Sequence, residues 1–344
     1  MSSTSPPYKR ALLHVSLDAF SSFNEYYQEL VSLAVGRVSE ALTIYVFSPD
    51  IQRYKDVPFM CWKEVHDVLS LIYVSATKAA HDNFFPLLDV DVVFEEWCGY
   101  PIELSDDEQF EVIFGEREDC YNLQKFNENR KNSNLSELPI QLLTSRSQSD
   151  SLTTSHDNTS IAGNSLQSSI MKKTRFNHVA VGGTFDHLHA GHKILLHMSV
   201  WITNKRLVCG VTAENMLQNK KYKEFLEPID TRISKVLKFL RKLRSEAFIQ
   251  YQVVPIYDIY GPTATDPDIE AIVVSKETMA GANSINEERK KRSFKKLDLA
   301  VIEVISSTNP SLGEVELKNL KLSSTYIREY LYKKQTTVKS STNL

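Results

Sequence analysis

Cysteine and glycine are scarce in this 344-residue chain. The four cysteines (Cys61, Cys98, Cys120 and Cys209) lie far apart, with no CxxC pair among them. That scatter excludes a disulfide framework and a thiolate zinc site, and it suits a reducing compartment. An excess of charge of one sign is also missing: 40 basic side chains against 43 acidic ones leave a formal charge of −3. General nucleic-acid binders and membrane-surface proteins carry a large basic excess, so neither class is favoured. No run approaches the roughly 18 consecutive apolar residues that span a bilayer. The opening segment, with Pro6 and Pro7, has no apolar core of signal-peptide length. The expectation is a soluble protein of the cytoplasm, bound to neither membrane nor nucleic acid.

What is present divides the chain. Between Lys131 and Ile170, 22 of 40 residues are Ser, Thr, Asn or Gln and none is aromatic. Such a stretch buries too little apolar surface to offset its ordering entropy, so it reads as a disordered linker, with edges at 116 and 173. Before it, residues 8–115 read as a smaller α/β domain. Strands are expected at Ala11–Leu17, Leu42–Ser48 and within Leu87–Trp97, and helices at Ser22–Glu40 and Trp62–Ala80. No phosphate loop or nucleophile constellation stands out there, and His14 and His66 read as ordinary core or surface residues. After it, residues 174–334 hold five apolar runs (178–183, 207–212, 251–256, 271–275 and 299–305). Helical stretches near 190–203, 230–246, 277–294 and 323–334 complete the pattern, and 335–344 read as a flexible tail. Strands separated by helices imply right-handed βαβ units in a parallel, doubly wound sheet, which takes ligands at the carboxyl ends of its strands.

The sharpest motif is VGGTFDHLHAGHKILL, Val181 to Leu196. Gly182 and Gly183 close a strand, and a helix is expected to start near His189. His189 and His192, three apart, then share the first helical turn, where free amides and the positive end of the helix dipole gather. Gly191 between them lets a ligand approach the backbone. That is an anion site with two titratable donors. Carboxylate and Cys partners for a metal are missing, and Asp186 reads as a cap of the histidine helix, so no protein-held metal is expected. A second motif, LSSTYIR (Leu322 to Arg328), places Ser323, Ser324 and Thr325 at another helix start, with Arg328 one turn on.

GTFDHLHAGH resembles the HxGH signature of the nucleotidyltransferase superfamily, and LSSTYIR resembles its late ISSTxxR motif. The intervening residues are similar to phosphopantetheine adenylyltransferases of the eukaryotic and archaeal type. The matching positions are Lys220, Tyr260 to Pro262, Asp266, Pro267, Val273 to Thr278, Ile285, Asn286 and Arg289. The resemblance spans Asn177 to Leu331 and implies a Rossmann-like, five-stranded parallel nucleotidyltransferase domain. The N-terminal block resembles, more faintly, the region before this domain in fungal and animal relatives. The bacterial type has an arginine-bearing segment where VSKET stands here, with Lys276 as the only cation. No Gly-Lys pair occurs in the 344 residues, so they contain no P-loop of a fused kinase.

The resemblance implies transfer of AMP from ATP to 4′-phosphopantetheine, giving dephospho-CoA and pyrophosphate in coenzyme A biosynthesis, with Mg2+ carried on the ATP. His192 would then meet the α-phosphate and His189 the outer phosphates, with Gly183 and Gly191 beside the nucleotide. Thr184 and Lys220 would stand between the reacting groups. Ser323, Ser324, Thr325 and Arg328 would hold the departing pyrophosphate, with Lys276 and Arg289 near the substrate phosphate. Other enzymes of coenzyme A synthesis are conceivable partners of the N-terminal domain. The basic run Arg289 to Lys296 reads as a solvated helix face, with nuclear targeting as a weaker alternative. Two other readings stay open: a cytidylyltransferase of a phosphorylated alcohol, and a non-catalytic scaffold.

Overall fold

The computed structural model describes residues 6–105, 108–144, 175–302 and 323–341, and the chain divides into two units, Met1–Arg175 and Phe176–Leu344. Most of the expected linker (145–173), the end of the fifth run (303–305) and Leu322 lie outside the described residues.

The N-terminal unit runs β1 (Tyr8–Ser16), α1 (Glu25–Val35), β2 (Val38–Phe47), α2 (Pro49–Tyr54) and α3 (Trp62–Asp82). β3 (Asp89–Phe94), β4 (Val112–Gly115), α4 (Cys120–Asn132) and β5 (Ile140–Leu142) follow. All five strands are parallel, in the order β3-β2-β1-β4-β5. Asn24 caps α1 by accepting from the Tyr26 amide, and the helix ends at Gly36, because Val38 already opens the second strand. The helix expected over Ser22–Glu40 is thus shortened at both ends.

The linker's expected start at 116 is also corrected, because α4 and β5 lie beyond it. Leu123, Phe126 and Leu138 enter a core cluster with Leu12, Tyr45 and Ile113. Two polar side chains among them, Asn127 and Arg130, bond backbone. Asn127 receives the Leu138 amide at 2.9 Å and donates to the Leu138 carbonyl at 2.8 Å. Arg130 donates to the carbonyls of Ser136 and Glu103, both at 2.8 Å. Composition reads Asn and Arg as solvated; here they clamp the chain.

The C-terminal unit comprises β6 (Phe176–Gly183), α5 (Ala190–Ile202), β7 (Thr203–Thr212), α6 (Ile229–Leu243) and β8 (Gln250–Ile256). β9 (Ala271–Ser275), α7 (Met279–Lys291), β10 (Asp298–Ile302) and α8 (Ser324–Ser341) follow among the described residues. The expected tail at 335–344 is therefore helical as far as Ser341. The sheet is again all parallel, ordered β10-β9-β6-β7-β8. The chain starts at the centre, runs outward through β7 and β8, then crosses back to β9 on the other side of β6. Helices therefore leave β6 and β9 on opposite sides, and a crevice opens at their carboxyl ends. α5 is buried along nearly its whole length, from Ile194 to Ile202, so its N-terminus is fixed at that crevice. Among the described residues, no helix is long and apolar enough to cross a membrane.

Candidate active site

The crevice is built around the loop from Thr184 to His189. Phe185 and His187 both take left-handed backbone, with φ of 49° and 45°, uncommon for residues with a Cβ. The surroundings hold them there. Phe185 is fully buried, and a Cβ on Gly183 would come within 3.1 Å of its ring, so only glycine fits that strand end without displacement. The His187 amide donates to Glu227 at 2.8 Å, and its Nε2 lies 2.7 Å from the Phe225 carbonyl.

His189 is the N-cap residue of α5 and His192 stands in its first turn. Their rings stack with centroids 3.9 Å apart, so the two imidazoles act as one surface. The Nδ1 atom of each is buried with no hydrogen-bond partner. Burial, with Lys193 and His187 nearby, lowers the His189 pKa to about 4. Burial and the neighbouring His189 press His192 well below its ordinary value. Both are therefore neutral at pH 7, and an incoming anion would draw protons onto them. The first-turn amides of α5 add further donors.

Asp186 does not cap α5. It is fully buried, its Oδ1 accepts from the Glu227 amide at 2.9 Å, and its Oδ2 pairs with Arg328. Its carbonyl accepts from Ser324 Oγ at 2.9 Å. Arg328, expected as an accessible phosphate donor, is only 1% exposed and spends its other donors on the Lys221 carbonyl and Thr325 Oγ1. The late motif thus fastens α8 onto the histidine loop. Ser323 is the N-cap, its Oγ accepting from the Tyr326 amide at 3.3 Å. All three hydroxyls of the motif are engaged within the protein, and what it presents outward is the start of a helix.

Arg289 also differs from expectation. Far from meeting substrate phosphate, it is buried on α7 and donates to the carbonyls of Thr263, Asp266, Pro267, Ile269 and Lys295. A guanidinium has five donors, and this one turns four on the crossover into β9 and the fifth on the turn before β10. Lys220, beyond β7, and Lys276, at the end of β9, are exposed. Thr184 is half-buried, its carbonyl taken by Arg232.

Arg232 was not singled out by any motif. Fully buried on α6, it donates to the carbonyls of Thr184, Thr212 and Glu227 at 2.9, 2.7 and 2.8 Å. It ties the histidine loop to the segment after β7 that leads to Lys220. A lone Arg in the first turn of an amphipathic helix carries no signal of that role.

Asp186, His187 and Glu227 are the one set, among the described residues, with ligand atoms all within 4.8 Å of one another. Arg328 neutralises Asp186 and His187 is bonded to backbone, so this set does not fit a resident metal.

A helix N-terminus and two neutral imidazoles at the switch point of a doubly wound sheet suit the phosphates of a nucleotide, as a nucleotidyltransferase domain would. Residues 180–330 match the cytidylyltransferase-like family. A phosphopantetheine adenylyltransferase of Saccharomyces cerevisiae is 44% identical over 157 residues, 46% of this chain and 49% of that protein. The match thus spans about half the length of the yeast protein. The enzyme of that name from Thermococcus kodakarensis is 35% identical over 45% of this chain and 87% of its own length. The chain belongs to the phosphopantetheine adenylyltransferase family. An uncharacterized protein of Schizosaccharomyces pombe is 32% identical over 272 residues, 79% of this chain and 81% of that one. That stretch exceeds the whole C-terminal unit, so the likeness extends into the N-terminal unit.

Proposed function

We propose that the C-terminal unit transfers the adenylyl group of MgATP to 4′-phosphopantetheine. A phosphate oxygen of phosphopantetheine attacks the α-phosphorus in line, the α–β bond breaks, and pyrophosphate leaves with the bonding electron pair. The products are dephospho-CoA and pyrophosphate. The acceptor's second pKa is about 6, so it is already largely ionised at neutral pH and needs no protein base. What remains is to hold two polyanions together and to stabilise the charge that develops between them.

The observation that carries this reading is the stacked His189–His192 pair with its unpartnered Nδ1 atoms at the head of α5. In our assignment His192 serves the α-phosphate and His189 the outer phosphates. Gly183 and Gly191 keep the backbone open to the nucleotide. Thr184 and Lys220 serve the reacting phosphates, and Lys276 adds a charge from the end of β9. The helix start at Ser323–Thr325 receives pyrophosphate through backbone amides. The ion arrives with the nucleotide as part of the substrate. The four free cysteines support a reducing, cytoplasmic setting.

Pyrophosphate release measured with ATP or CTP, against phosphopantetheine or a phosphorylated alcohol, tests the assignment. Turnover is expected with ATP and phosphopantetheine. Turnover with CTP and a phospho-alcohol, or none with any pair, would refute it. His192→Ala is expected to lower kcat roughly 10²- to 10³-fold, with a much smaller change in KM, as for other donors aimed at transition-state charge.

A further inference from the structure

The N-terminal sheet repeats the strand order of the catalytic sheet, with β1 central between β2 and β4. A crevice therefore also opens at the carboxyl ends of β1 and β4, but the chemistry lining it has the opposite sign. His14 is buried between two carboxylates, with Glu95 3.3 Å from Nε2 and Asp119 3.3 Å from Nδ1. Asp119 also accepts from Ser16 Oγ at 2.6 Å. This imidazole is one positive charge against two negative ones.

A third carboxylate is left over. Glu116, just past β4, is 7% exposed, and its Oε1 has no hydrogen-bond partner. Burial pushes its pKa up to about 7; Asp119 and Glu118 push the same way, while a hydrogen bond from Tyr26 pulls it down. A buried acceptor without a donor is destabilising, and more so when charged. Rings stand beside it: Tyr26 meets Tyr27 edge-on at 5.4 Å, and Phe23 stacks on Tyr27 at 5.6 Å. Tyr27 is tied to β1 through a 3.0 Å bond from its hydroxyl to the Ser16 carbonyl.

Where the catalytic crevice offers neutral donors and a helix N-terminus, this one offers a carboxylate with one oxygen lacking a donor, and aromatic faces. Phosphate would be repelled. An inorganic ion is disfavoured too, because the ligand atoms here do not converge as those of Asp186, His187 and Glu227 do. A carboxylate with adjoining phenol rings suits a cation that brings N–H donors and a face for cation–π contact. We propose that the N-terminal unit carries a second small-molecule site, for an organic ammonium or guanidinium cation, at the carboxyl ends of β1 and β4, with Glu116 as the receiving group.

Calorimetric titration of the 344-residue chain with putrescine, and separately with agmatine, tests this and distinguishes the two cation types. At least one is expected to bind with a Kd below about 1 mM, a free energy of about −4 kcal/mol. Glu116→Gln should weaken binding at least tenfold while leaving the melting temperature equal or higher, since the amide is neutral at a buried position where burial already disfavours the charged form. Tyr26→Ala, at a half-buried ring, is a second variant expected to weaken binding. Absence of binding by both amines, equal binding in both variants, or displacement of the amine by millimolar MgCl2 would each overturn the site.

Discussion

Lys220 and Arg328 belong to the same set of motif cations, yet their surroundings predict opposite behaviour on substitution. Lys220 is exposed in the segment after β7. Lys220→Ala should shift folding free energy by no more than about 0.5 kcal/mol. If Lys220 serves phosphate as proposed, losing that charge-assisted bond should lower kcat roughly ten- to a hundredfold. Arg328 is buried against Asp186 and cannot be removed so cheaply. Arg328→Ala leaves a buried carboxylate without its partner, at a cost of about 3–5 kcal/mol. A melting temperature well below wild type is expected, and Arg328→Lys should not restore it, since one ammonium cannot serve Asp186, Lys221 and Thr325 together. Thermal melts run beside steady-state kinetics separate the two cases. An unchanged melting temperature in Arg328→Ala would refute the structural role.

At the scale of elements, α4 and β5 close the N-terminal sheet with side chains whose composition suggests solvent. β5 pairs with β4 through Ile113–Ile140, Phe114–Gln141 and Gly115–Leu142, while Leu138 and Leu143 beside it are buried. Removing residues 131–144 strips an edge strand, two buried leucines and the partner of Asn127. Since each buried leucine is worth about 2–5 kcal/mol, the N-terminal unit should lose most of its stability. A chain lacking only 145–170 should melt as wild type does, on the grounds of that stretch's polar, aromatic-free composition. Circular dichroism melts of the two deletions compare them directly.

For the molecule as a whole, the two units should respond to pH with opposite sign. Burial alone would lower the His14 pKa, but Asp119 and Glu95 outweigh it and raise it to about 9. The folded state holds that proton more tightly than the unfolded chain does. Its stabilisation is therefore complete below pH 6.5 or so and fades as pH climbs through about 9. His189 is lowered to about 4 and His192 is also lowered, so their neutral forms favour the folded C-terminal unit above about 6.5. That contribution is lost as pH falls towards 4. Trp201 reports the C-terminal unit, and Trp62 and Trp97 the N-terminal unit. Melts of variants that keep only one set should show the N-terminal unit weakening from about pH 6.5 to 9 and the C-terminal unit from about pH 6.5 to 4. His14→Gln should abolish the slope above about pH 7, the part below it being shared with Glu116, whose pKa is also raised, to about 7.

Apolar runs separated by amphipathic stretches determined on their own that this chain forms parallel sheets, since such periodicity is local and states which face of each segment is buried. The same local logic made the histidine loop legible: two imidazoles three residues apart at a helix start face one way in any fold. Tertiary structure alone decided what the charged letters mean. Arg328 finds Asp186 from 142 residues away, and Arg289 reaches back more than 20 residues to the carbonyls before β9. A guanidinium carries the same charge and helix propensity whether it faces a phosphate or a buried carbonyl. Its partner is fixed only when distant segments fold against it, which also decided that Asn127 and Arg130 would hold an edge strand in place of water.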